Sequence, residues 1–186
     1  MVFTEKADYT ALKGEKVKLG GNYLELGDPA PLLTLPNPHL EQITVGGEGN
    51  RIQVILSVPS FDTPVCAKES RVFNEKLAQI EGVEGILVSM DLPFAGARFC
   101  STEGIENLQF VSDFKDKSFA KSYGVLISEG PLEGLCARAI FIVSKDGRVV
   151  YKQIVPEITD EPNYDEVLEK ATAATKEGAS CCGFCQ

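Results

Sequence analysis

Apolar and polar positions change rhythm along this chain, and the changes divide it into elements. Ile52 to Val58 is a largely apolar run, partly β-branched and of the length of a buried strand. Helical periodicity follows from about Val65 to Ile80. Gly85-Ile-Leu-Val-Ser-Met90 reads as a second short buried strand, Leu108 to Ser112 as a third, and Ser118 to Tyr123 as a short helix closed by Gly124. Ala139-Ile-Phe-Ile-Val143 and Val149 to Val155 flank Lys145-Asp-Gly-Arg148, a strong hairpin signal. Tyr164 to about Ala174 is amphipathic at helical spacing, with Asp160 or Asn163 near its start.

The remaining segments are less regular. Val17 to Leu26 alternates around Gly20-Gly-Asn22 and predicts an N-terminal β-hairpin turning there. A Pro-rich connection (Pro29, Pro31, Pro36, Pro38) leads to Gly46-Gly-Glu-Gly-Asn50. No helix opens after those glycines, so they predict a turn and not a dinucleotide fingerprint. Leu92 to Glu106 is mixed, with helical turns around Ala95 to Cys100. The order is hairpin, then β-α-β-(α)-β-α, then a second hairpin and a closing helix. This predicts an α/β, thioredoxin-like fold, with a central mixed sheet flanked by helices and an N-terminal β-hairpin. One domain, residues 1–175, is expected, followed by a Cys-rich, flexible C-terminal tail at 176–186.

Composition narrows the function classes. In 186 residues, Lys+Arg 18 against Asp+Glu 27 leaves a net charge of −9, which argues against nucleic-acid and anionic-membrane partners. No apolar stretch approaches the roughly 18 residues of a membrane span, and Met1 to Asp8 lacks the pattern of an export signal, so the expected location is cytoplasmic. Six cysteines in such a chain point to thiol or metal chemistry before a structural disulfide framework.

Cys66 is the sharpest of them. It ends Pro59-Ser-Phe-Asp-Thr63-Pro-Val-Cys66, at a junction from predicted strand to predicted helix. Unpaired N–H groups and the positive end of a helix dipole favour thiolate over thiol there. Pro64 suits a first helical turn, and Thr63 or Asp62 supplies an N-cap. The competing possibility is a buried, inert cysteine. A dithiol oxidoreductase would need C-x-x-C at this helix, and Pro-Val-Cys66-Ala-Lys-Glu has none. A metal-binding or redox-sensing module remains a separate hypothesis.

Pro59-x-x-x-Thr63-x-x-Cys66 resembles the peroxiredoxin active-site pattern. Asp91-Leu-Pro-Phe-Ala-Gly-Ala-Arg-Phe-Cys100, Glu129 to Ala139 and Glu157-Ile-Thr-Asp-Glu-Pro-Asn-Tyr164 are similar to the thiol peroxidase branch, the atypical two-cysteine peroxiredoxins. The resemblance implies a peroxidase that reduces hydrogen peroxide and alkyl hydroperoxides without metal or other cofactor. It implies Cys66 as the peroxidatic residue and Cys100 as its resolving partner in the same chain. Arg138 would hold sulfur and peroxide, Thr63 would hydrogen-bond both, and Pro59 would exclude water. Thioredoxin as electron donor and a homodimer are implied too. Local unfolding around Cys66 and Cys100 is expected in each cycle, because a disulfide needs Cα atoms within about 7 Å.

Other cysteines and the single histidine are weaker candidates. Cys136, two residues before Arg138, is expected on the same strand face, and its bland reading is a small core residue. His39, in Pro-Asn-Pro-His-Leu, is expected on a surface loop. Cys181, Cys182 and Cys185 depart from the family pattern; a soft-metal site, a tethered dithiol relay and a non-essential tail are the open readings. Phe94, Phe99 and Leu126 are candidates for a wall selecting bulky hydroperoxides.

Overall fold

The computed structural model describes residues 7–177. A five-stranded sheet organises the chain, in the order β10-β9-β5-β6-β7, with β5 (Ile52–Ser57) at its centre. Strand β5 pairs in parallel with β6 (Val83–Ser89), which pairs in parallel with β7 (Leu108–Ser112). On its other side β5 runs antiparallel to β9 (Ala139–Val143), and β9 to β10 (Val149–Ile154) across the predicted Asp146-Gly147 turn. Both faces of the sheet are covered, so every residue of β5 is buried and the strand reads as a run without alternation.

The two faces carry separate apolar layers. Val54, Leu56, Ile140 and Ile142 face one layer, packed by α1 (Pro64–Leu77), α4 (Tyr164–Glu177) and part of α2 (Pro93–Glu103). Ile55, Ala139, Phe141 and Val143 face the other. That second layer is closed by α3 (Ser118–Ser122), by a three-stranded sheet of β1 (Tyr9–Leu12), β2 (Glu15–Gly20) and β8 (Leu126–Ile127), and by the hairpin of β3 (Leu33–Pro36) and β4 (Gln42–Val45). The mixed sheet flanked by helices is the thioredoxin-like arrangement expected from the element order.

The N-terminal hairpin is present, but it turns earlier than expected. Tyr9 pairs with Lys18 and Leu12 with Glu15, so the turn is Lys13-Gly14, both at positive φ (54° and 82°) as a tight primed turn requires. The expected turn at Gly20-Gly-Asn22 serves another purpose. A side chain at Gly21 (φ 104°) would lie 2.2 Å from the Lys121 carbonyl oxygen, so this glycine lets the strand end cross closely over α3. The β3–β4 hairpin within the Pro-rich connection and strand β8 were not expected. Segment 93–103 is one continuous helix where only turns around Ala95 to Cys100 were anticipated.

Asn163, and not Asp160, caps α4: its Oδ1 accepts from Glu166 N at 3.2 Å while its Nδ2 donates to Glu166 Oε2 at 3.1 Å. Helix α4 continues through Lys176 and Glu177, which the sequence had placed in the tail. Cys181, Cys182 and Cys185 lie outside the described residues.

Candidate active site

Strand β5 delivers the chain to Pro59, which is buried, and the next residues form a tight loop before α1. Asp91 fixes that loop. Its carboxylate accepts from Ser60 Oγ at 2.9 Å, Phe61 N at 3.2 Å and Ser89 Oγ at 2.7 Å. Phe61 then stacks on Phe99 of α2, with centroids 4.7 Å apart, and meets Phe110 of β7 edge-on at 4.9 Å. Thr63 is the N-cap of α1, extended in backbone, with Pro64 opening the first turn.

Cys66 sits in that first turn and is fully buried. Its amide donates to Thr63 Oγ1 at 3.3 Å, and the Thr63 hydroxyl donates to the Ser60 carbonyl at 3.4 Å. The threonine hydroxyl therefore bonds backbone atoms here; the expected bond to the Cys66 sulfur is not among its contacts. Asp62, the alternative cap, is not the capping residue.

Arg138 lies one residue before β9, 2% exposed, and its guanidinium has three partners. Nη2 donates to Cys66 Sγ at 3.3 Å, Nη1 to Glu69 Oε2 at 2.5 Å, and Nε to the Ile158 carbonyl at 3.0 Å. The last contact depends on the N-terminal hairpin. Glu157 accepts from Lys13 N and Gly14 N, both at 3.0 Å, and Ile158 N donates to the Ala11 carbonyl at 2.9 Å. The Lys13-Gly14 turn thus anchors the segment that aims the arginine.

Glu69 is the site residue that sequence reasoning missed. It follows Cys66 by three positions on α1, so both side chains share a helix face, and it is fully buried. That spacing to a candidate nucleophile was the available signal; a glutamate on a helix reads by default as a solvated charge. Burial outweighs the stabilisation from Arg138 and raises the carboxyl to about 7, with Glu161 adding a small upward push. Glu69 Oε1 is buried without a hydrogen-bond partner.

Cys66, Cys100 and Cys136 are free thiols. Cys100 is half-buried on α2, and burial pushes its thiol above the ordinary value. It packs against the layer that contains Cys66. Cys136 does not. It belongs to the layer on the opposite face of the sheet, fully buried, its thiol pushed far up by burial. The expectation that it shares a face with Arg138 fails because β9 begins only at Ala139. Residue 136 is instead held by an isolated bridge to Leu126, outside the strand's alternation. Leu126 packs against that same layer and Phe99 against the other, so these two do not line one wall. Phe94 is 69% exposed. His39 is on the surface, as expected. No group of three or more potential metal ligands occurs among the described residues, and none of their helices is long and apolar enough to cross a membrane.

The Redoxin family model matches residues 25–168. A thiol peroxidase of Campylobacter jejuni is 54% identical over 173 residues, covering 93% of this chain and 95% of that protein. One of Aquifex aeolicus is 52% identical, covering 86% and 94%. Among solved structures, a peroxiredoxin-like protein from Aquifex aeolicus aligns at TM-score 0.87 and 49% identity, over 89% of this chain and 96% of that one. Together with the mixed thioredoxin-like sheet, these matches establish that the chain belongs to the redoxin family and, within it, to the thiol peroxidases of the peroxiredoxin group.

Proposed function

We propose that this peroxidase reduces hydrogen peroxide and alkyl hydroperoxides through Cys66, with Cys100 as resolving residue and thioredoxin as electron donor. The observation that carries this reading is the 3.3 Å contact between Arg138 Nη2 and Cys66 Sγ at the start of α1. A permanent cation and a helix N-terminus both favour the thiolate that must attack. The thiolate forms a bond to one peroxide oxygen, the O–O bond breaks, and the second oxygen leaves as alkoxide or hydroxide and takes a proton. Arg138 and the N–H groups of the first turn of α1 face the charge that develops. Thr63 holds that turn together, and Pro59 lines the site away from water.

Cys66 is then a sulfenic acid, which condenses with the Cys100 thiol to give a disulfide and water. Both steps require motion. Cys66 is fully buried and Cys100 half-buried on a different helix. Helix α2 is suited to yield: it has no side-chain N-cap bond and buries only Pro93 and Gly96. Thioredoxin would return the disulfide to two thiols. The protein would work as a cytoplasmic homodimer, with the three C-terminal cysteines dispensable.

The test is intact-mass and peptide analysis of reduced protein after one equivalent of peroxide. An internal Cys66–Cys100 link and loss of peroxide consumption in Cys66→Ser are expected. Peroxide consumption that survives Cys66→Ser, or a link predominantly between subunits, would overturn the proposal.

A further inference from the structure

One buried cation serves two ionisable neighbours at this site. The Arg138 guanidinium touches Cys66 Sγ through Nη2 and Glu69 Oε2 through Nη1, and neither partner has measurable exposure. With both partners ionised, one net negative charge would be buried without compensation. With both protonated, one positive charge would be. A single anion balances the guanidinium, and the desolvation penalties strongly favour that balance.

We propose that Cys66 and Glu69 share one proton across Arg138, so that Glu69 is the carboxylic acid while Cys66 is the thiolate. Glu69 is then a positioning residue for the proposed peroxidase chemistry, on which this inference rests.

The surroundings of Glu69 fit the neutral acid. Its second oxygen, Oε1, is buried without a partner, a costly arrangement for a carboxylate and a milder one for a carboxylic acid. The charged and titratable groups facing it come from each packed element. Arg138 and Cys66 lie to one side. From the segment leading into α4 comes Glu161, whose charge is partly answered by Lys68 at 2.6 Å. From α4 itself comes the buried Tyr164 hydroxyl, held neutral well past its ordinary range by burial, Glu161 and Glu69. Lys68 is paired with Glu161, and Arg138 is the cation that acts on Glu69. Burial also raises the Glu69 carboxyl from its ordinary value to about 7, against the opposing pull of Arg138.

The proton balance of the reaction follows. A reduced site holds Cys66–S⁻ and Glu69–COOH. Sulfur attack on ROOH makes the S–O bond of a neutral sulfenic acid and expels RO⁻, so Arg138 loses its thiolate partner. Glu69 then ionises to become the counter-anion, and the proton it releases offsets the one that RO⁻ takes up to become ROH. The sum is Cys66–S⁻ + Glu69–COOH + ROOH → Cys66–SOH + Glu69–COO⁻ + ROH, with no net proton drawn from solvent. When the thiol is later regenerated, its proton returns to Glu69.

The experiment uses the full chain with Cys100→Ser, which stops the cycle at the sulfenic acid. Reduced protein is mixed with one equivalent of hydrogen peroxide in weakly buffered, near-neutral indicator solution, and proton uptake is followed by stopped flow. Close to no uptake is expected for Cys100→Ser, against about one proton per Cys66 oxidised when Glu69→Gln is added. Equal uptake of about one proton in both would overturn the inference. Infrared difference spectra of Cys100→Ser alone keep the question answerable if Glu69→Gln does not fold. Oxidation should remove a protonated-carboxyl band and add a carboxylate band, and an unchanged carboxyl region would overturn the inference. Failure of the peroxidase reading looks different: Cys66 would remain unmodified by peroxide.

Discussion

Replacing Arg138 by Met in a Cys66→Ser background isolates the buried Glu69–Arg138 pair from thiol ionisation and oxidation. Methionine keeps much of the side-chain volume but removes the donors to Glu69 Oε2 and the Ile158 carbonyl. Breaking a fully buried ion pair by deleting one member costs about 3–5 kcal/mol. That cost should depend on pH, and its sign is fixed by Glu69. With Arg138 present, the carboxyl is raised from 4.5 to about 7, so the folded state holds a proton that the unfolded chain has lost. Stability from this group therefore falls as pH rises from 4.5 to about 7, then levels off once the pair is ionised. Without Arg138 the downward pull on the carboxyl is gone. The decline should then continue above neutrality, at up to ~1.4 kcal/mol per pH unit. Urea unfolding at about pH 5 and about pH 8 measures both limits. Near pH 5 the variant should lose only the ~1–3 kcal/mol attributable to hydrogen bonds. At the higher pH it should lose the larger amount, and adding Glu69→Gln should recover most of the difference. A loss independent of pH, or no recovery in the double variant, would refute the reasoning.

Thr63→Ala should cost ~1 kcal/mol of stability by removing the cap on α1, with Thr63→Ser restoring most of it. Peroxide turnover should follow the same order, because the capped turn carries Cys66. Gly96→Ala would place a methyl group 2.1 Å from a Phe110 ring carbon. Overpacking of this kind costs ~1–3 kcal/mol, read by thermal or urea unfolding, and α2 should loosen, seen as faster labelling of Cys100 by a thiol reagent. Deleting residues 178–186 should leave thioredoxin-dependent turnover unchanged; a large fall would favour the relay role for Cys181, Cys182 and Cys185.

What could be read in the sequence was whatever a short local pattern controls. Ile52–Ser57 had to be a buried strand because its run lacks alternation, and Asp146-Gly147 had to turn a hairpin. The Cys66 junction was legible because Pro64 and Thr63 favour a helix start whatever packs around them. Features decided by distant contacts were hidden. Gly20-Gly21 advertised a turn, yet the need at Gly21 is set by the Lys121 carbonyl, and Lys13-Gly14 makes the hairpin instead. Helix α2 has weak patterning because it buries so little of itself. Cys136 and Arg138 were placed on one face by extending strand alternation two residues past the point where the strand begins. Glu69 was missed because a glutamate becomes a buried partner only when an arginine from another element arrives beside it.

That arginine arrives by way of strand pairing. Ser57 sits opposite Ala139 in the β5–β9 ladder, and Arg138 adjoins Ala139. A slip of one residue would turn Arg138 into the layer of Phe141 and Val143 and offer the sulfur an alanine instead. Chemistry and alignment are therefore tied together: a molecule paired out of step has no cation for its thiol. On the roles proposed for Cys66 and Arg138, the fraction of a preparation that reacts rapidly with one equivalent of peroxide should count the molecules whose central sheet was assembled in register, a folding assay that needs no spectroscopic probe.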